Sequence, residues 1–193
     1  MPRSEDFDRS QVLQNAKEVF WVKGYNGTSM QDLVDATGLN RSSIYNSFGN
    51  KMELFQQTLK QYQDESAQLF DNACAQNKNA IETIGLTFLY SLKNIKEDTD
   101  NRGCMFINCG TELGNQEPAV NRLWEANQEQ LVAHFQSLVV QGQQEGSVRS
   151  GENPENLAHY LASAFVGFRI TGMHTKDMGV LKSIIQNTLK TIT

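Results

Sequence analysis

Long apolar runs are missing from this sequence. No stretch reaches roughly the 18 residues that a membrane-spanning helix needs, so no membrane contact is expected. The opening MPRSEDFDRS has no apolar centre and does not resemble a secretory signal. Cysteine is scarce. Cys74, Cys104 and Cys109 are an odd number without framework spacing, which argues against a disulfide scaffold and for a reducing, cytoplasmic setting. Cys104 and Cys109 have no His or further Cys placed to complete a tetrahedral site, so no metal and no cofactor is expected. Proline occurs only three times, which favours long helices. Catalytic signatures are absent too: there is no Ser/His/Asp set on an elbow, no phosphate-cradling glycine loop and no matched carboxylate pair. An enzyme on an all-α scaffold therefore has nothing in the sequence to rest on.

Positive charge is also in short supply. Seventeen Lys and Arg face 22 Asp and Glu, for a net charge of -5. Taken alone, that argues against a nucleic-acid binder, because phosphate binding rests on basic side chains. The charge is unevenly spread. Residues 1–51 carry six basic and six acidic residues, so the remainder holds the whole excess, and no acid occurs from Gly38 to Met52. Arg3 and Arg9 add positive charge near the start.

What is present is helix. The 193 residues are 39% hydrophobic and 9% aromatic, enough for a folded core of one or two domains. Val12, Leu13, Ala16, Val19 and Phe20 recur at helical spacing, and Gly24 suits the end of that first helix. Ser29 caps a second helix, with Asp32 three residues on as the other half of a capping box. Gly38 ends it. Asn40 caps a third helix, Arg41 to Phe48, and Asn50 a fourth, with Glu53 in the box position. Short, sharply capped helices joined by a turn at Gly38 fit a helix-turn-helix. In the third helix Ile44 and Phe48 are one turn apart and anchor it. Arg41, Ser42, Ser43, Tyr45, Asn46 and Ser47 form an acid-free polar face suited to the DNA major groove. A solvent-facing helix of an ordinary bundle has the same spacing.

The stretch AKEVFWVKGYNGTSMQDLVDATGLNRSSIYNSFGNKMELF, Ala16 to Phe55, resembles the TetR family of transcriptional regulators. Phe20, Gly24-Tyr25, Thr28-Ser29, Asp32-Leu33, Ala36, Gly38-Leu39, Ser43-Ile44-Tyr45, Phe48, Lys51 and Glu53-Leu54 follow the family pattern in order and spacing. Ser42, where the family often has glycine, and Ser47, where it often has His or Tyr, depart from it. The resemblance implies an all-α fold of about nine helices and a homodimer on a near-palindromic double-stranded operator, most simply as a repressor. It assigns Thr28, Ser29, Tyr45 and Lys51 to phosphates, and Arg41, Ser42, Ser43 and Asn46 to bases or their surroundings. Asn40 and Ser47 complete the expected DNA-facing set, with the helix caps at Ser29, Asn40 and Asn50 lying beside the backbone.

Division at residue 50 is expected, with residues 1–50 forming the DNA-binding domain and residues 51–193 an effector-binding and dimerisation domain. Further helices are predicted over about Ala80–Lys96, Arg102–Leu113, Pro118–Gln144, Pro154–His174 and Met178–Thr191. Leu157, Leu161, Phe165 and Phe168 on the eighth, and Leu181, Ile184, Ile185 and Leu189 on the ninth, are expected to serve both the core and, by family resemblance, a four-helix dimer bundle. An unidentified small-molecule effector is expected between helices five and eight. Phe88, Cys104, Phe106, Asn108, Glu112, Trp124, Phe165 and Arg169 are its candidate lining. RGCMFINCGTELG, Arg102 to Gly114, resembles a Gly-Cys-x3-Asn-x3-Glu segment of one TetR branch, some of whose members respond to electrophiles. Cys104 at a helix start beside Arg102 has two features that favour a thiolate, making it the candidate thiol sensor. A buried free cysteine is more often an apolar packer, and Cys109 reads as that. The alternative is a helix-turn-helix regulator with no small ligand, constitutive or controlled by a protein partner.

Overall fold

The computed structural model describes residues 7–76 and 78–193, so Arg3 lies outside the described residues. Those residues form α1 (Arg9–Gly27), α2 (Met30–Thr37), α3 (Arg41–Phe48), α4 (Lys51–Cys74), α5 (Ala80–Glu97), α6 (Met105–Leu113), α7 (Pro118–Glu145), α8 (Pro154–His174) and α9 (Met178–Ile192). No strand occurs among them.

Local chemistry explains the boundaries. Ser29 accepts the Asp32 N–H at 3.1 Å while its own N–H donates to Asp32 at 2.8 Å, closing the capping box of α2. The Asn40 side chain accepts the Ser43 N–H at 2.9 Å, and Asn50 and Glu53 close the box of α4. Each such cap satisfies N–H groups that the first helical turn otherwise leaves without a partner. Pro118 and Pro154 open α7 and α8, where a missing N–H costs nothing.

Two boundaries differ from expectation. The first helix continues to Gly27 across a kink at Gly24, whose φ of 72° and ψ of 174° interrupt the helix. The sixth begins at Met105 rather than Arg102, because Asn101 and Gly103 take positive φ and turn the chain. Asn108 holds that turn by donating to the Arg102 carbonyl at 2.7 Å.

Two apolar clusters carry the packing. The first joins Val12, Ala16 and Phe20 of α1 with Leu33, Ile44 and Phe48, then with Leu54, Phe55, Leu59 and Tyr62 of α4. It continues into Met105, Phe106, Cys109 and Leu113 of α6 and Val120 of α7. The helix-turn-helix therefore shares its core with α4 and α6. The second cluster unites α5, α7, α8 and α9 around Phe88, Phe135, Phe165 and Phe168. α4 bridges the two, with Tyr62 in the first and Phe70 packed on the second.

This packing places in the core the residues expected to serve both core and dimer bundle. Leu157, Leu161, Phe165, Phe168, Leu181 and Ile185 are at most 5% exposed within one chain, and Ile184 and Leu189 lean on the same core. Their apolar stripe is consumed by α5 and α7, so six of the eight keep almost no surface for a partner. Among the residues that α8 leaves outside are Tyr160, Ser163, Gly167 and Ile170.

Candidate nucleic-acid interface and effector cavity

Arg41, Ser42, Tyr45 and Asn46 lie together on the exposed side of α3, opposite Ile44 and Phe48, which are 0% and 3% exposed. Ser43 and Ser47 flank them, half-buried. Arg9 braces the far end of α3. Its guanidinium lies 4.3 Å from the Phe48 ring centre and donates to the Ser47 carbonyl and the Gln57 side chain, each at 2.8 Å. The head is thus fixed from behind while the polar face stays open.

Some residues of the expected DNA set sit elsewhere. Thr28 is 2% exposed and spends its hydroxyl on the Gly24 carbonyl at 2.6 Å, so its side chain faces the kink rather than solvent. Ser29 is exposed, but its hydroxyl is tied to Asp32 at 2.7 Å. Lys51 is half-buried with its ammonium 4.3 Å from the Tyr25 ring centre, and burial lowers its pKa against the opposing pull of Glu112 and Asp32. Asp32 lies near this surface, its carboxyl held well below the usual range by hydrogen bonds from Lys23 and Ser29.

The candidate effector residues separate into four groups. Cys104, Phe106, Phe165 and Arg169 line one cavity of about 190 Å³ between α4, α6, α7 and α8. Phe88 does not reach it: it is fully buried and packs edge-on against Phe165 at 5.2 Å. Trp124 covers Gly110 and faces a different depression, beside Val132 and His159. Asn108 and Glu112 line the α1–α6 junction. There Glu112 accepts the N–H groups of Tyr25 at 3.0 Å and Asn26 at 2.7 Å, just past the Gly24 kink. A side chain at position 24 would collide with the Glu112 carboxylate, and the positive φ disfavours one in any case.

The expected wall from helix five is supplied instead by α4, through Tyr62, Ser66 and Phe70. Tyr62 was invisible to sequence reasoning because it falls on the same helical spacing as ordinary core residues. Its hydroxyl accepts a hydrogen bond from Arg169 Nη2 at 2.6 Å, and burial pushes its pKa up.

The Cys104 environment also differs from expectation. Arg102 turns away, stacked 4.2 Å over Trp21 and paired with Glu18 and Asp98. The cation beside the Cys104 thiol is Arg169 of α8. Cys104 is 3% exposed and opens only on the cavity. Cys109 donates to the Phe106 carbonyl at 3.3 Å, and burial pushes its thiol up to about 12.

His134 closes the far side of the cavity. Its ring lies 4.1 Å from the Phe70 ring centre, and burial lowers its pKa to about 4, with Asp71 opposing. The unfolded chain binds a proton here below about pH 6.5, whereas the folded chain resists until about pH 4. Stability is therefore fully present above pH 6.5 and declines as pH falls toward 4, by about 2–3 kcal/mol from this residue. Urea unfolding from pH 7 to 4.5 should show a shallower decline in His134→Gln than in the wild type. Parallel curves would contradict the assignment.

Comparison with known proteins agrees with this architecture. Residues 12–58 match the model of bacterial regulatory proteins of the tetR family, and residues 80–186 that of the tetracyclin repressor-like C-terminal domain. The chain is 29% identical to the HTH-type transcriptional regulator YezE of Bacillus subtilis, over 100% of both chains. It is 26% identical to the transcriptional repressor ComR of Escherichia coli, over 97% of this chain and 90% of that one. A cysteine variant of the TetR-family regulator CifR, solved with 26-base-pair operator DNA, superposes with a TM-score of 0.86. That match has 24% identity and covers 97% of this chain and 98% of the other, and it speaks to the fold.

Proposed function

Because this chain belongs to the TetR family of bacterial regulatory proteins, we propose that it is a homodimeric repressor that binds a near-palindromic operator and leaves it when a small molecule or electrophile occupies the cavity between α4, α6, α7 and α8. The observation that carries DNA reading is the exposed, acid-free face of Arg41, Ser42, Tyr45 and Asn46, backed by buried Ile44 and Phe48. Small and hydrogen-bonding side chains approach base edges closely, and the Asn40-capped helix start offers N–H groups to a phosphate without formal charge. Tyr45 is read as a phosphate contact, and Ser42 and Asn46 as base contacts.

The dimer reading draws on the outer face of α8. Tyr160 and Ile170 are 38% and 39% exposed, and a side chain at Gly167 between them would meet nothing within its own chain. A partner helix crossing there explains large apolar residues flanking a bare backbone. Effector release is read as population shift, the effector favouring a spacing of the two heads that does not fit DNA. The cavity supports a ligand-controlled regulator over one that lacks a ligand. Cys104 opens on that cavity, so an electrophile small enough to enter meets its thiol.

The test is a gel shift on the DNA upstream of the chain's own reading frame, with and without a thiol-reactive electrophile. A specific shift abolished by the electrophile in the wild type but kept in Cys104→Ser supports repressor and thiol sensor together. A shift indifferent to the electrophile removes the sensor and keeps the repressor. No specific DNA anywhere in a genome-wide binding assay removes both. Tyr45→Ala should weaken binding about equally on all sequences. Substitutions at Ser42 or Asn46 should change base preference by about 1–3 kcal/mol per lost contact. A changed preference in Tyr45→Ala, measured by selection from random DNA, would overturn that division of roles.

A further inference from the structure

Arg169 is an unusual residue to find on the inner side of α8. It follows Phe165 and Phe168, both buried, and its guanidinium points across to α4. Guanidinium stays protonated at all biological pH and carries five N–H donors in a fixed fork. One of those donors goes to the Tyr62 hydroxyl at 2.6 Å, a neutral oxygen. The Phe165 ring centre lies 5.9 Å away and adds a weak cation–π contact. Among the described residues no carboxylate pairs with Arg169. The nearby acids are engaged elsewhere: Glu65 by Lys17 at 2.5 Å, and Asp98 by Arg102 at 3.3 Å. Asp71, exposed on α4, lines the His134 end of the same cavity and makes no ion pair with Arg169 among the described residues. Arg169 faces Tyr62, away from the Tyr160, Gly167 and Ile170 face proposed for the dimer.

Phe70, Phe106 and Phe165 stand on the walls of the cavity, with Gln63, Asn127 and Gln130 among its polar lining. At its other side His134 is held neutral at physiological pH, and its buried Nε2 has no hydrogen-bond partner among the described residues. A buried polar atom without a partner is costly in a native fold and calls for an explanation. A half-buried, inward-facing cation with no carboxylate partner is likewise costly. Both open on one cavity of about 190 Å³. A cavity of about 150 Å³ is large enough for benzene, so a ring with one small substituent is a reasonable occupant.

We infer that this cavity binds a small organic carboxylate, its anionic head on the Arg169 fork and its apolar body between the phenylalanines, with His134 facing the far end. The carboxylate is the anion whose planar geometry matches the fork in a bidentate pair. It supplies the charge that the protein leaves out, in surroundings where water competes weakly. A hydrogen-bond donor on the far end of the ligand would satisfy His134. The inference deepens the effector reading above and rests on it for its regulatory meaning, but carboxylate binding itself does not depend on DNA.

The experiment is calorimetric titration of the full-length protein with benzoate, phenylacetate and hexanoate, each beside its neutral amide, with a gel shift run in parallel. At least one carboxylate is expected to bind, and its amide to bind at least about tenfold more weakly, because a charged hydrogen-bonded pair is lost. Arg169→Gln is expected to erase that preference. The wild-type comparison of acid with amide decides the matter even if the variant does not fold. Amides binding as well as acids, no binding by any of the three acids, or an unchanged preference in a folded Arg169→Gln would each overturn the inference. Carboxylate binding that leaves operator affinity unchanged would uphold the site and remove the effector-controlled mechanism.

Discussion

Phe88→Ala is expected to lower folding stability by about 3–5 kcal/mol, the range for truncating a sealed aromatic core residue. For a chain of this length that corresponds to a fall in Tm of roughly 6–20 °C. The ring has no exposed surface and meets Phe165 at 5.2 Å, Phe168 at 5.6 Å and Phe135 at 6.2 Å between centres. Deleting it leaves a hole that three other rings cannot fill without leaving their own contacts, which is why the cavity cost adds to the transfer cost. Urea unfolding by circular dichroism measures the loss. A residue lining an open effector site would behave differently, because its truncation merely widens existing space. A loss below about 1 kcal/mol would return Phe88 to the cavity wall.

The second large effect concerns communication between the two ends of the molecule. If the proposed effector control holds, Glu112→Ala is expected to uncouple effector binding from operator release while leaving each reaction in place. The Glu112 carboxylate receives two N–H groups at the α1 kink, and its charge also acts on Lys51 at the start of α4. It is a polar latch between α6, which lends Phe106 to the cavity, and the segment that leads into α2. Coupling free energies between sites are typically about 1–3 kcal/mol, equivalent to roughly five- to 150-fold in affinity. With the latch removed, the effector-induced change in operator affinity should shrink to less than about twofold, and stability should fall by about 2 kcal/mol. Titrating operator binding with and without effector reads this directly. A full effector response in Glu112→Ala would place the coupling elsewhere. Glu112→Gln, which keeps one carbonyl acceptor, should fall between the two.

Both expectations concern residues whose roles the chain order hides. Phe88 and Phe106 look alike in sequence: each is an aromatic residue on the apolar stripe of a helix. Only the position of α4, which takes the wall expected from helix five, puts one in the core and the other on the cavity. Glu112 likewise looked like a polar group that could orient a ligand, yet it caps a backbone 86 and 87 positions away.

The sequence by itself determined the local elements and the family. Caps at Ser29, Asn40 and Asn50, the stop at Gly38 and the prolines opening α7 and α8 are short-range chemistry, satisfied within a few residues and therefore readable from spacing. The same holds for the polar face of α3, since Ile44 and Phe48 fix its rotation. Tertiary structure alone decided which partners those elements meet. Helical periodicity says that a stripe is buried but not against what. Hence Leu157, Leu161, Phe165 and Phe168 proved to be core, leaving Tyr160, Gly167 and Ile170 outside. The same limit applies to charge. Arg102 stands next to Cys104 in the chain but bonds Glu18 and Asp98, and the cation near that thiol is Arg169, brought from α8 to Tyr62 by packing. Electrostatic pairing acts through space at a few ångströms, and chain position carries no record of it once helices cross.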